Sequence, residues 1–357
     1  MIFPFSEPTG DLWQYLASTE KTVVMYGMGN GADKILAVCD KFGIEVADFF
    51  ASDGFVRGHS FHGKRVLSYT EVKEKYGAEN LIVLLSFASS LPDVLALFDR
   101  VASECELYAP DVPVCGENLF DLAFYRAHRE ELSATYSLLA DEESRRIFEC
   151  VLRYKLSGSI SELRAVESTK DETYALLTAQ NIRTAADLGA YNGDTVRELK
   201  AYAPELSEVW AFEPDRRSFR KLSEFAENVE SPKIHTIHAA AWLEDTTLSF
   251  ADTGNRNAGA FAIGKQIEVE AKSLDGVLGG TRVDYIKYDV EGAEREAILG
   301  SEETIRKHHP RLLVSIYHRS EDLFALPLLI HEKFPSYRLY LRRTPYVPAW
   351  DLNLICM

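Results

Sequence analysis

The stretch Asp187-Leu188-Gly189-Ala190-Tyr191-Asn192-Gly193-Asp194-Thr195 lies between a run of small apolar residues and an amphipathic segment, and it decides how this 357-residue chain is read. Residues 182–188 read as a buried parallel strand. Gly189 and Gly193 read as a turn in which side chains would block a ligand, and Thr195 to Tyr202 as a helix whose first amides point back at that turn. The next strand, Val209-Trp210-Ala211-Phe212, runs into Glu213-Pro214-Asp215, and an acid at that place takes the ribose hydroxyls of a nucleoside in doubly wound folds. Strand, glycine turn, helix, strand and acid together describe a nucleotide-type ligand site.

A dinucleotide fingerprint would need Gly-x-Gly-x-x-Gly to admit a pyrophosphate. Here Asp187 opens the motif and Tyr191 stands where the middle glycine would, which suits a diphosphate poorly. Asp187 can instead meet an ammonium such as that of a methionine moiety, which favours S-adenosylmethionine over NAD. A third block, Val283-Asp284-Tyr285-Ile286-Lys287-Tyr288-Asp289-Val290-Glu291-Gly292-Ala293-Glu294, is a buried strand that delivers Lys287 and Asp289 to its carboxyl end, the edge at which open α/β sheets bind ligands. The plainer reading makes Asp289 an N-cap and lets Glu291 and Glu294 complement a helix start. Three acids in one turn also offer oxygen ligands, but no histidine or cysteine accompanies them, and no metal is expected.

Together with Ala239-Ala240-Ala241-Trp242, these blocks resemble, in order and spacing, the FkbM family of S-adenosylmethionine-dependent methyltransferases, from about Asn181 to the C-terminus. The resemblance implies a class I methyltransferase fold and O-methylation of a hydroxyl on a sugar, a glycan or a glycosylated natural product. Carried over by position, Asp187, Gly189 and Gly193 shape the methionine pocket, with Ala190, Tyr191 and Thr195 completing the cofactor turn. Glu213, followed by Pro214, takes the ribose, and Ala240 with Ala241 borders adenine. The strand Leu312-Leu313-Val314-Ser315-Ile316-Tyr317-His318 ends in Tyr-His, where many members carry an acid and then a histidine. His318 is the first candidate for the base that removes the acceptor's proton, because imidazole titrates near neutrality. Lys287 and Asp289 are the next, although a lysine there equally pairs with Asp289 and fixes the loop. His235, His238, His308 and His309 lack comparable placement.

Composition agrees with this class. With 46% hydrophobic and 11% aromatic residues the chain can build more than one core, and two domains are the natural expectation at this length. A formal charge of −16 argues against a broad phosphate-tracking surface, leaving only a local basic patch around Arg338, Arg342 and Arg343. No nucleic-acid partner is expected. The acceptor is expected to be a small molecule or a glycan. Cys39, Cys105, Cys115, Cys150 and Cys356 are scattered and form no Cys-x-x-Cys pair, as in a reduced, cytoplasmic protein. The longest apolar run, Leu81 to Leu85, is too short to cross a bilayer, and the first residues do not read as an export signal, so no membrane insertion is expected.

The expected organisation is a Rossmann-like α/β domain over 1–112, a helical connector over 113–180 and the methyltransferase domain over 181–357, its doubly wound sheet closed by an antiparallel hairpin. In the first domain Thr22 to Tyr26 is a strand, Gly27-Met28-Gly29-Asn30-Gly31 a turn, residues 32–42 a helix and Val46 to Phe50 a second strand. Phosphate could approach that turn, with Asp48 or Asp53 accepting a ribose. This leaves a second class of function open: a nucleotide-sugar or NAD binding protein that transfers no methyl group. An oxidoreductase would need a Tyr-x-x-x-Lys pair, which no suitable helix carries. In the connector, residues 117–139 and 141–156 have helical apolar spacing, with Asp141 as N-cap and Gly158 as stop. Their stripe suits packing between domains, a substrate lid or the surface of a homo-oligomer, and Tyr174 is placed to cover the cofactor. The loop with Tyr346 and Trp350 and the turn Asp252 to Gly259 are expected to wall the acceptor pocket, the two rings stacking on a sugar.

Overall fold

The alternation of apolar strands and amphipathic helices forms two main sheets, beside smaller three-stranded and two-stranded ones, in the computed structural model, which describes residues 8–56, 58–252 and 265–357. The first sheet has five parallel strands in the order Leu67–Ser68, Val46–Ala51, Thr22–Tyr26, Leu81–Leu85, Glu106–Tyr108. The apolar run at Leu81 to Leu85 is its buried fourth strand. Gly27-Met28-Gly29 follows the central strand and leads into the helix Asn30–Phe42. Gly31 is required there because a Cβ would lie 2.1 Å from the Ser86 carbonyl oxygen.

The second sheet runs Lys233–Ile237, Glu208–Phe212, Thr184–Leu188, Tyr285–Tyr288, Arg311–Ser315, Leu352–Cys356, Leu339–Arg343. Its first five strands are parallel, and the last two pair antiparallel as the expected hairpin. Ala185, Ala186, Val209, Ala211, Ile286 and Val314 are fully buried, as expected of a parallel sheet covered on both faces. The Arg311–Ser315 strand stops before Tyr317 and His318, which therefore belong to the loop at its carboxyl end.

The connector differs in one respect from its periodicity. Residues 117–139 form two helices, Leu122–Ala127 and Arg129–Leu138, because the Asp121 side chain caps the first by accepting from Phe124 N, and His128 leaves helical geometry to stack on Phe324. The longer helix Glu142–Ser157 starts and ends as read, with Asp141 accepting from Ser144 N and Gly158 left-handed at its end. It packs between the two sheets. Phe148, Val151 and Leu152 join the core around Ile286 and Val314, whereas Tyr154 joins the core around Val24 and Phe98. Phe148→Ala would remove about 3–5 kcal/mol from that junction.

Three further contacts turn the carboxyl ends of the two sheets toward each other. Ser89, after the Leu81–Leu85 strand, bridges to Val347 in the loop of the C-terminal hairpin. Lys34, on the helix after the glycine turn, donates to the carbonyls of Pro113 and Val114. Cys115 N donates to the His318 carbonyl at 3.0 Å, and its thiol donates to the Glu291 carbonyl. Among the described residues no helix is long and apolar enough to cross a membrane.

The basic patch does not form. Arg343 is fully buried, donating to the carbonyls of Thr344, Tyr346 and Leu163. Arg342 pairs with Asp141 at 2.7 Å, and Arg338 alone is exposed.

Candidate functional site

Parallel pairing puts Asp187 directly beside Lys287, and the site grows from that register. The Asp187 carboxylate is buried. Thr195 Oγ1 donates to its Oδ2, Lys287 Nζ lies 3.6 Å from its Oδ1, and Oδ1 has no hydrogen-bond partner. Burial outweighs the lysine and raises the carboxyl above its ordinary range. The turn that follows is fastened to the neighbouring strand, since the amides of Gly189 and Ala190 both donate to the Phe212 carbonyl. Tyr191 is left-handed, with φ of 48°, and its amide donates to Glu213 Oε2 at 2.9 Å. Glu213 Oε1 accepts from Asp215 N at 2.8 Å. Burial pushes the Glu213 carboxyl up to about 7, against the two amides that favour its charge. Gly193 ends the turn and precedes the helix Asp194–Tyr202. Pro214 lies in the loop after Phe212, and Ala240 and Ala241 form a short buried strand beyond the Lys233–Ile237 strand. The candidates from Asp187 to Pro214 thus gather at the carboxyl edge of this sheet, while Ala240 and Ala241 belong to a neighbouring three-stranded sheet.

The catalytic candidates lie beside them. Lys287 is shared between Asp187 and Asp289, the latter at 3.1 Å. Burial works against its charge, but the two carboxylates win and hold the ammonium above its usual range. Asp289 also accepts from Tyr317 OH at 3.1 Å. Burial would raise it, yet Lys287 and His318 keep it below the ordinary carboxylate range. His318 is 1% exposed. Its Nδ1 is 2.9 Å from Glu294 Oε1, and its Nε2 is 3.5 Å from Asp289 Oδ1 and 3.7 Å from Glu291 Oε2. Burial lowers an imidazole's affinity for its proton, but these three acids reverse that and bring His318 up to about 10. The ring is therefore cationic at neutral pH, which differs from the free imidazole expected of a base.

The fold also gathers what spacing kept apart. His318 accompanies Asp289, Glu291 and Glu294, which corrects the expectation that no histidine stands with those acids. Asp289 caps no helix, because the helix there begins only at Glu294. Glu294 faces His318 and accepts from Val290 N at 2.9 Å, a role that its place three residues after Glu291 only hinted at. Tyr317 gave no local signal. Tyr174 sits in the core with Ala190, Val196 and Leu199, donates to Glu198 and stacks on Tyr202. Tyr346 and Trp350 are half-buried neighbours with ring centroids 5.9 Å apart. The turn after Asp252, through Gly259, lies outside the described residues.

At the N-terminal glycine turn both acids proposed for a ribose are engaged elsewhere. Asp48 is buried and bound by Lys75 and Tyr76. Asp53 accepts from the amide and hydroxyl of Thr70.

Residues 187–348, which contain every one of these cofactor and catalytic candidates, match the family model described as the methyltransferase FkbM domain. This part of the chain is an FkbM methyltransferase domain. The whole chain superposes on the crystal structure of methyltransferase FkbM from Methylobacillus flagellatus KT with a TM-score of 0.72 at 19% identity, covering 99% of this chain and 94% of that one. The likeness includes the N-terminal sheet and connector that precede the FkbM domain. An rRNA methylase from Streptococcus thermophilus matches at a TM-score of 0.35 and 14% identity, over 54% of this chain and 96% of that one. Fibrillarin from Aeropyrum pernix, in complex with natively bound S-adenosyl-L-methionine, matches at 0.34 and 13%, over 52% and 74%. No curated protein matches the chain.

Proposed function

We propose that the FkbM domain uses S-adenosylmethionine to methylate a hydroxyl oxygen of a sugar, a glycan or a glycosylated small molecule. The observation that carries this reading is the buried Asp187 carboxylate, whose Oδ1 lacks a hydrogen-bond donor at the open end of its strand. An ammonium group supplies such a donor. Glu213 fits the same ligand, because each of its oxygens accepts one backbone amide and keeps a second lone pair for a ribose hydroxyl. When bound, S-adenosylmethionine supplies a methyl group on a sulfonium sulfur, open to attack by an oxygen.

The chain's own residues would do the rest. Lys287 keeps Asp187 and Asp289 at fixed places, and Tyr317 with His318 fixes Asp289 from the other side. At neutral pH the Asp289 carboxylate, not the cationic His318, has the free lone pair that can receive the hydroxyl proton. Its lowered proton affinity makes it a weak base, so alignment carries most of the acceleration and proton removal adds at most about 10²–10⁴-fold. The acceptor would enter between the facing carboxyl edges, where the Ser89 and Val347 contact and the Tyr346 and Trp350 rings border the FkbM domain. Those rings suit a sugar face.

Calorimetry with S-adenosylhomocysteine, on wild type, Asp187→Ala and Glu213→Ala, tests the cofactor. Transfer of labelled methyl to a panel of sugar acceptors tests the acceptor. Micromolar binding that both substitutions abolish supports the reading. Failure of folded wild type to bind would end it, and labelled product on amines alone would end the O-methylation part.

A further inference from the structure

We propose that Asp289, Glu294 and His318, with Glu291 beside them on the more open side, form a site for one divalent cation of the oxygen-preferring Mn2+ or Mg2+ type. Ligand atoms of Asp289, Glu294 and His318 lie within 4.8 Å of one another, and Glu291 Oε2 lies 3.7 Å from the imidazole Nε2. Metal bonds of about 2.1 Å at angles of 90–120° place ligand atoms about 3.0–3.6 Å apart. An ion takes one imidazole nitrogen in place of its proton: Glu294 Oε1 stands 2.9 Å from Nδ1, whereas Asp289 Oδ1 and Glu291 Oε2 face Nε2 at 3.5 and 3.7 Å, so the carboxylates would gather about a single nitrogen.

The second observation is unmet polarity. Glu294 is 1% exposed, yet its Oε2 has no hydrogen-bond partner, its other oxygen being the one that faces His318 Nδ1. The nearby cationic side chains have other acceptors. Lys287 lies between Asp187 and Asp289, Lys34 donates to Pro113 and Val114, and Arg319 donates to the Gly292 carbonyl. The backbone adds to this. Glu291 is left-handed, with φ of 54°, a conformation that a non-glycine residue keeps only where its surroundings impose it, and it leaves the carboxylate half-exposed beside the ring.

The donors divide by access. Glu294, anchored by Val290 N, is buried, while Asp289 and Glu291 are partly open to solvent, with side chains 30% and 42% exposed. An ion would enter from that open side. One imidazole among carboxylates favours Mn2+ or Mg2+ over softer ions. The ion's use, to draw the acceptor oxygen toward the transferable methyl group, rests on the methyl-transfer reading; its binding does not.

Mn2+ titration of full-length, chelator-treated protein, followed by electron paramagnetic resonance, tests the site, with S-adenosylhomocysteine calorimetry on the same samples. One Mn2+ per chain is expected, with nitrogen coupling from the imidazole. Glu291→Gln, a half-exposed change that should fold, and Asp289→Asn should each weaken binding at least about tenfold. Absence of saturable binding up to about 5 mM in protein that binds S-adenosylhomocysteine would overturn the cation site alone. Binding indifferent to both substitutions would do the same. Mn2+ bound with the imidazole coupling in protein that ignores S-adenosylhomocysteine would leave the cation site standing and remove the methyl-transfer reading.

Discussion

Gly189 and Asp289 are in direct backbone contact: a Cβ on Gly189 would lie 1.9 Å from the Asp289 carbonyl oxygen. Two loops a hundred residues apart in sequence are thereby locked together, so that Asp187 and Lys287 share one edge. With φ of 90° at Gly189, any side chain there meets both strain and a collision. Gly189→Ala is expected to lose about 2–4 kcal/mol of stability, and S-adenosylhomocysteine binding with it. Urea unfolding and calorimetry would check this, and a wild-type-like variant would contradict the contact.

Asp187→Asn removes a buried charge while keeping the shape that Thr195 recognises. The fold should survive, since the ionised carboxyl is disfavoured by burial. S-adenosylhomocysteine affinity should fall at least about tenfold, or about 1.4 kcal/mol. Undiminished affinity would mean that the ligand ammonium lies elsewhere.

Glu213 should make both stability and binding depend on pH. Its carboxyl is raised from 4.5 when free to about 7 in the fold, so the folded state holds a proton that the unfolded chain gives up. That stabilisation is complete below about pH 4.5 and is lost as pH rises through 7. Glu213→Gln, which cannot ionise, should therefore gain on wild type across that window and level off above it, by up to about 3 kcal/mol. Cofactor binding runs the other way, because the ionised form is the better ribose acceptor, and affinity should weaken below about pH 7. Melting curves and calorimetry from pH 5 to 9 would show both trends, and a flat difference would refute them.

Arg343→Met should be strongly destabilising. The guanidinium, itself buried, satisfies the carbonyls of Leu163, Thr344 and Tyr346 and lies 3.8 Å from Glu167. Its loss would cost about 3 kcal/mol or more, measured as a lower melting temperature. An unchanged melting temperature would return Arg343 to the surface role suggested by its neighbours in sequence.

The motifs from Asp187 to Glu294 could be read because each is local. A strand, a glycine turn and the next helix lie within a dozen residues, and apolar period and turn chemistry identify them without tertiary help. The caps at Asp141 and Gly158 were legible for the same reason, being set by one side chain or one left-handed residue. Asp48 was misread because its partners, Lys75 and Tyr76, come from a helix well beyond its strand. Arg343 was misread because its burial depends on tertiary packing, with the Leu163 carbonyl of the connector joining those of its neighbours Thr344 and Tyr346.

The sequence by itself determined two strand and helix alternations, the antiparallel closing hairpin and the row of candidates at the carboxyl ends of the second sheet, since hydrophobic period and glycine placement act over neighbouring residues. Tertiary structure alone decided that His318 sits among three carboxylates and carries a proton at neutral pH, and that one oxygen of Asp187 is buried without a hydrogen-bond partner. Those properties arise from burial and from charges brought together by parallel strand pairing, and neither is encoded in the spacing of any one segment.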